Sequence, residues 1–240
     1  MKKIFFTLLA LAATMSMNAQ IMKIMKGDEV VAVYGDIEAD NIVFEELPSQ
    51  HRGKATRTGS IQVTWYQLWE NGPKFARYNV GAKYNSPEDY GGYYCWGSSI
   101  NCDQNGSHDD DVYDLTGNYD TATKLWGSNW RMPTKEELQG LFDNCNVEWT
   151  SVNGVDGLKF TGKGYYSGDS VFLPAAGYYD SYLDKFSGHS INYWSSTHYF
   201  SSELVSSHAY CLWYISSAYW DVATEYRHRG LSIRPVLNEK

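Results

Sequence analysis

The spacing of hydrophobic positions changes from one segment of the chain to the next, beginning with short alternating runs. Residues 21–25 and 29–34 are β-prone and flank a Lys-Gly-Asp turn, so they predict a small hairpin. Residues 41–44 are a candidate third strand. Because so few strands are only marginally stable alone, we expect residues 20–46 to form a β leader that packs on another part of the protein.

Two later segments have the periodicity and end signals of helices. Thr134 and Glu137 form a T-x-x-E capping box, in which each side chain accepts from a backbone amide left free at the helix start. Apolar residues then recur at i, i+3, i+4 and i+7, which predicts one buried stripe: Leu138, Leu141, Phe142 and Cys145. A shorter helix is predicted at 121–126, after the capping residue Asp120 and before Gly127.

Strand signals dominate the rest of the chain. They occur at 157–161, at 170–174 and in three aromatic-rich stretches between Tyr193 and Val236, without the alternation of strands and helices typical of parallel sheets. We therefore predict an α+β domain over residues 61–238. Residues 47–60 contain basic residues, turn formers and no acid, which predicts a linker that trypsin can cleave.

The first twenty residues have the features of an export signal. Lys2 and Lys3 precede an apolar run at 4–17, and the small residue Ala19 suits cleavage. The run is too short for a transmembrane helix. We expect residues 1–19 to be a signal peptide, the protein to be secreted or held at the cell surface, and no part of it to insert into a membrane.

Composition and charge narrow the classes of partner. The chain has 240 residues, a formal net charge of −8 and 43% hydrophobic residues, so it can form a sizeable core. An acidic protein with few Lys and Arg neutralises phosphates poorly, which makes nucleic acid and anionic membranes poor candidate partners. Four cysteines, Cys95, Cys102, Cys145 and Cys211, leave two disulfides, one disulfide and only free thiols all open.

Six blocks of residues, taken in order, resemble a known family. They are NVGA at 79–82, PEDYG at 87–91 with WG at 96–97, WRMPTKEEL at 130–138, FLPAAG at 172–177, YWSST at 193–197 and GLSIRPV at 230–236. Over residues 61–237 the chain resembles the Fibrobacter succinogenes major paralogous domain family. That resemblance implies a C-type-lectin-like fold, distantly related to the formylglycine-generating enzymes, with a short β leader before it.

The resemblance implies no activity, because function resides in sites and not in folds. Formylglycine-generating enzymes use a copper site with paired cysteines, whereas Cys95 and Cys102 lie in a different sequence setting, so this chemistry is not carried over. Ser195, Ser196 and His198 are close in sequence but lack any known hydrolase signature. We therefore expect a protein that is not an enzyme and has no cofactor.

A cation is the one ligand for which the sequence offers a cluster of donors. An acidic loop supplies hard oxygens of the kind calcium prefers, and its candidate metal ligands are Asp109, Asp111 and Asp114. The spacing is not that of an EF-hand, and a solvated acidic loop explains the run equally well. Four histidines of the C-terminal third, His189, His198, His208 and His228, show no metal-binding spacing.

Aromatic residues are concentrated near the C-terminus. Between Tyr193 and His228 there are six Tyr, three Trp, one Phe and three His. Alternation in strands buries about half of such rings, and the others are expected at the surface, where rigid amphipathic rings suit ligand binding. The predicted ligand-binding residues are His198, Tyr199, Tyr210, Tyr214, Tyr219, Trp220, Tyr226 and His228. A wholly structural aromatic core is the alternative.

These observations together predict a secreted, non-enzymatic ligand-binding or adhesion module that recognises an extracellular protein or glycan through a C-terminal aromatic face. The same face would suit variation by a diversity-generating retroelement. The alternative is a structural cell-surface or assembly protein with no dedicated ligand site.

Overall fold

A computed structural model describes the backbone of most of the chain after residue 50 and of five short strands before it. The described residues are 5–7, 14–15, 21–26, 29–35, 43–45, 51–102, 113–180, 183–200, 207–216 and 219–239. Side chains are described for these ranges except for those before residue 51 and those of 183–185, 215–216 and 219–220. The predicted signal peptide lies mostly outside these residues.

Five short strands belong to the N-terminal region. They are β1 (Phe5–Thr7), β2 (Thr14–Met15), β3 (Ile21–Lys26), β4 (Glu29–Gly35) and β5 (Val43–Glu45). Strands β3 and β4 pair antiparallel, as the two β-prone runs predict, and β2 lies beside β3. The third predicted strand, β5, forms a separate parallel pair with β1.

A five-stranded sheet joins the beginning and end of the larger domain. Its strands are β6 (Arg52–Arg57), β7 (Ile61–Gln67), β8 (Lys74–Ala76), β9 (Trp130–Arg131) and β18 (Val236–Leu237). They lie in the order β6-β7-β8-β18-β9. The C-terminal strand β18 therefore lies between β8 and β9, which closes the domain.

Strand β6 corrects the predicted boundaries, because the segment 47–60 is not a linker along its whole length. Residues 52–57 pair in register with β7 and form the edge of the five-stranded sheet. The residues that face inward are small or amphipathic, so the segment lacks the alternating hydrophobic pattern that would predict a strand. Gly53, for example, lies so close to the ring of Trp65 that a Cβ atom there would be 2.5 Å from Cζ2.

The two helices form where the sequence predicts them. Helix α1 (Thr121–Trp126) follows Asp120, whose carboxylate accepts from the backbone amide of Thr123. Helix α2 (Lys135–Asn144) begins with the complete capping box of Thr134 and Glu137. Leu138 and Leu141 of α2 are fully buried, which confirms the predicted apolar stripe.

Two antiparallel three-stranded sheets complete the main architecture. The first consists of β10 (Cys145–Val152), β11 (Val155–Gly162) and β12 (Ser170–Pro174). The second consists of β15 (Ile191–His198), β16 (His208–Ser216) and β17 (Tyr219–Tyr226). A short hairpin, β13 (Tyr178–Asp180) and β14 (Leu183–Lys185), lies between them in sequence. The described residues are thus mostly antiparallel β-sheet with few helices, in agreement with the predicted α+β class.

The sheet of β15, β16 and β17 is an inner layer with core on both faces. On one face Trp194 and Cys211 pack with Trp96. On the other face Tyr193 and Leu212 pack beneath helix α2 and against the first three-stranded sheet. Alternating residues of one strand therefore enter two different core clusters, which explains why these strands are apolar on both sides.

Of the alternatives left open for the four cysteines, the structure has the one with a single disulfide. Cys95 and Cys102 form a disulfide, whereas Cys145 and Cys211 are free thiols buried in the core. Within the described ranges, no helix combines the length and the apolar character needed to cross a membrane.

Candidate functional site

The structure divides the eight predicted ligand-binding residues among the core and several surface locations. Tyr214 is only 4% exposed and is part of the core cluster beneath α2. Its prediction as a surface residue is wrong, because Tyr214 and Leu212 of β16 pack in the same core cluster as Leu138 and Leu141 of α2. Its ring stacks on the half-exposed ring of Trp149 at a centroid distance of 5.4 Å. The side chains of Tyr219 and Trp220 lie outside the described residues.

Three other predicted residues lie near the ends of β15 and β16. His198 Nδ1 is 2.7 Å from Oδ1 of Asp114. Asp114, predicted as a metal ligand, is therefore a hydrogen-bond partner of the imidazole. Tyr199 and Tyr210 form an edge-to-face pair with a centroid distance of 5.5 Å. The ammonium of Lys135 lies 4.4 Å from the centre of the Tyr210 ring, so helix α2 partly covers this pair.

Tyr226 and His228 are exposed and lie together on a continuous surface. Their ring centroids are 5.3 Å apart, and Tyr226 is 43% exposed. The guanidinium of Arg229 is 5.4 Å from the centre of the Tyr226 ring and 4.9 Å from that of Tyr178. Phe186 extends the surface, with its ring 6.0 Å from Tyr178. We call this surface the aromatic patch; it consists of Tyr178, Phe186, Tyr226, His228 and Arg229.

Carboxylates fix Arg229 between its two rings. Its Nε donates to Asp180 at 3.1 Å and its Nη1 donates to Glu225 at 2.8 Å. Burial lowers the pKa of Arg229, but the charge and hydrogen bond of Glu225 outweigh it and raise the pKa above its usual value. A cation held by two carboxylates and two aromatic faces loses little conformational freedom when a ligand binds.

A close backbone approach brings distant segments together at the patch. Tyr179 and Gly230 exchange backbone hydrogen bonds of 2.7 and 2.8 Å, which set Arg229 beside Tyr178. A Cβ atom at Gly230 would lie 2.9 Å from Cβ of Cys102 and 3.0 Å from Cβ of Tyr93. Glycine is therefore needed at this position. The disulfide contacts the backbone of the patch, with Cys95 Sγ 3.1 Å from the carbonyl oxygen of His228.

His208 lies at the edge of the patch and is mostly buried. Its ring is paired with Tyr226 at a centroid distance of 4.2 Å. Burial lowers the pKa of His208 below its usual value, with Glu225 opposing this shift. The imidazole is therefore mainly neutral at pH 7. Its Nδ1 is 2.7 Å from the hydroxyl of Ser207, which leaves Nε2 as the nitrogen that could contact a ligand.

Phe186 is held in a backbone conformation that bulky residues rarely adopt. Its φ is +60°, in the left-handed region, and its side chain is 62% exposed. The exposed ring buries little apolar surface that could offset the cost of this backbone conformation. Such an outlier motivates a functional role for the side chain.

The residues considered for catalysis have structural contacts. Ser195 Oγ donates to the carbonyl of Tyr210 at 2.9 Å, and Ser196 Oγ donates to that of Pro133 at 3.3 Å. Both serines are buried. In the described ranges, no three His, Cys, Asp or Glu side chains come together as a metal site. The candidate metal ligands Asp109 and Asp111 lie outside those ranges.

Sequence reasoning missed Tyr178, Phe186 and Arg229 as members of the patch. Tyr178 follows the small residues of the FLPAAG block, but nothing in its local sequence points toward residue 229. The contact depends on the pairing of Tyr179 with Gly230, which joins segments far apart in the chain.

Comparisons with known proteins add no relative. No family model matches the chain, and neither a curated protein nor a solved structure is significantly similar to it.

Proposed function

We propose that the protein is a secreted, non-enzymatic binding or adhesion module that recognises an extracellular protein or glycan through the aromatic patch. The observation that carries this proposal is the arrangement of Arg229 between Tyr178 and Tyr226, continued on one side by exposed Phe186 and on the other by His228.

The chemistry of the patch supports recognition of a ligand that is partly apolar and partly polar. Exposed rings offer flat apolar faces on which sugar rings or apolar side chains can pack. Arg229, His228 and the Tyr226 hydroxyl add hydrogen-bonding groups at the same surface. Aromatic residues and Arg are enriched among the residues that dominate binding energy at interfaces.

The proposed fold is a C-type-lectin-like domain of the Fibrobacter succinogenes major paralogous domain type, with residues 20–46 as its β leader. The order of elements is compatible with it: two early helices, a C-terminal antiparallel sheet and a last strand that pairs within the five-stranded sheet. The six blocks of sequence that carry the resemblance also include the residues that close the core, such as Trp130, Trp194 and Arg234.

Secretion or attachment at the cell surface is part of the proposal and rests on the N-terminal sequence. A structural calcium ion in the acidic loop remains a prediction, as does variation of the aromatic residues by a diversity-generating retroelement.

The second candidate function is a structural surface or assembly protein. The burial of both faces of the sheet of β15, β16 and β17 favours it, because this burial accounts for much of the aromatic content without a ligand. In that case the aromatic patch would contact another copy of the chain or a neighbouring component of the assembly.

Array binding separates the two candidates. The full chain is applied to arrays of glycans and of extracellular proteins, together with a Phe186→Ala/Tyr226→Ala double variant. We expect the wild-type chain to capture a defined ligand and the double variant to lose it. Equal capture by both proteins would contradict the proposal. Absence of any capture, with self-association in sedimentation that the double variant abolishes, would favour the assembly function.

A further inference from the structure

A cavity of about 490 Å³ lies on a different part of the domain from the aromatic patch and shares no residue with it. It lies between the outer face of the sheet of β10, β11 and β12 and the edge of the five-stranded sheet. Its volume is within the range of small-molecule sites. The described residues that line it are Arg52, Tyr66, Arg77, Pro87, Glu148, Thr150, Ser151, Val152, Lys159, Gly168, Ser170 and Phe172.

Strand register explains why polar residues line this cavity. Glu148, Lys159 and Phe172 lie side by side across the three strands and therefore point to the same face. The neighbouring residues on the opposite face, including Leu158 and Leu173, enter the core beneath α2. The sheet is thus amphipathic, and its outer face forms one wall of the cavity.

The lining is cationic in a protein that is acidic overall. Among the described lining residues, three cations face a single carboxylate, Glu148. Arg52 is 3.7 Å from the buried carboxylate of Asp169, so part of its charge is already neutralised. Arg77 and Lys159 form no ion pair within the described part of the chain.

Arg77 is held in place but uses little of its hydrogen-bonding capacity. Its Nη1 donates to the hydroxyl of Tyr66 at 3.0 Å. Its Nε is enclosed by protein and has no partner among the described residues, so the remaining Nη1 and Nη2 hydrogens are the donors that a ligand in the cavity can reach. A guanidinium carries five N–H donors in a planar fork that matches a carboxylate. A preformed cation with unused donors at a cavity wall favours an anionic ligand.

We propose that this cavity binds an acidic sugar unit, with its carboxylate at Arg77 and Lys159. The hydroxyls of Thr150, Ser151 and Ser170 are suited to the neutral hydroxyls of such a ligand. Phe172, whose ring packs over Gly157, contributes an apolar floor. A neutral sugar would leave Arg77 and Lys159 without their anionic partner.

Calorimetric titration of the full chain tests this site with D-glucuronate, D-glucose and inorganic sulfate. We expect D-glucuronate to bind and D-glucose and sulfate to bind at least about tenfold more weakly. Equal affinity for glucose would overturn the role of the cations. Equal affinity for sulfate would overturn the recognition of a sugar.

Two variants and a matched control locate the binding. Lys159→Gln and Arg77→Gln should each weaken D-glucuronate binding about tenfold or more, because each removes a charge-assisted hydrogen bond. Lys163→Gln, an exposed residue at the end of the same sheet and outside the cavity lining, should bind like the wild type. Lys159 is on the outer face of its sheet, so Lys159→Gln is expected to fold even if Arg77→Gln does not. Unchanged binding by Lys159→Gln would contradict the proposal.

Discussion

The guanidinium of Arg234 donates from Nε to the side-chain oxygen of Asn79 at 2.8 Å, and both side chains are completely buried. Arg234 also donates to the backbone carbonyls of Ala76, Arg77 and Phe172. Asn79 in turn donates to the hydroxyl of Tyr193 at 2.9 Å. This buried network joins the five-stranded sheet to strand β12 and strand β15.

Arg234 is expected to be essential for stability. Burial lowers its pKa to about 10, so the side chain is still protonated at pH 7. Arg234→Met would leave several buried acceptors without donors, at a cost of about 1–3 kcal/mol for each unsatisfied group. We expect the free energy of unfolding in urea to fall by more than about 3 kcal/mol. Lys54→Met, at an exposed position of β6, is the control and should change it by about 0.5 kcal/mol or less. A loss below 1 kcal/mol for Arg234→Met would show that the network is not needed.

The two buried thiols should be unreactive in the folded protein. Burial raises the pKa of Cys145 to about 12 and that of Cys211 well above its usual value, so both remain protonated at pH 8. Ellman's reagent at pH 8 should therefore label no thiol in the native chain and two in denaturant without reductant. Two labelled thiols in the native chain, or none after unfolding, would contradict the burial or the disulfide pairing.

Phe186 should reveal its backbone strain in a comparison of two variants. Because φ is +60°, glycine suits the position better than alanine, and Phe186→Gly should be about 1 kcal/mol more stable than Phe186→Ala. Thermal unfolding of both variants measures the difference. Tyr119 is exposed and has no positive φ, so Tyr119→Ala should instead be at least as stable as Tyr119→Gly. A Phe186→Ala variant at least as stable as Phe186→Gly, the order expected at Tyr119, would show that Phe186 is not strained.

Local sequence predicted the elements whose signals are local. The capping box at Thr134 and the cap at Asp120 gave both helices, because each signal lies within one turn of the helix it starts. The sequence did not predict the strand 52–57, because its inward positions are Gly53, Ala55 and Arg57. None of these is a large hydrophobic residue, and Arg57 contacts the Trp126 ring through its guanidinium.

The candidate site was predicted only in part for a similar reason. The aromatic-rich segment predicts Tyr226 and His228 at the surface, and both are exposed, but the side of β16 on which Tyr214 lies depends on where helix α2 packs. The partnership of Arg229 with Tyr178 depends on the pairing of Tyr179 with Gly230. Contacts of this kind join distant parts of the chain and leave no periodic pattern in either segment.

The affinity of the Tyr226→Ala variant for a ligand captured by the wild-type chain tests the central claim most directly. Biolayer interferometry should show at least about a thirtyfold loss, equivalent to about 2 kcal/mol, because the ring is central to the aromatic patch. Its unfolding temperature should remain within a few degrees of the wild type, as expected for a substitution at an exposed residue. Tyr119→Ala removes a tyrosine outside the patch that is at least as exposed as Tyr226, and this variant should bind normally. Unchanged affinity of a folded Tyr226→Ala variant would contradict recognition through the aromatic patch.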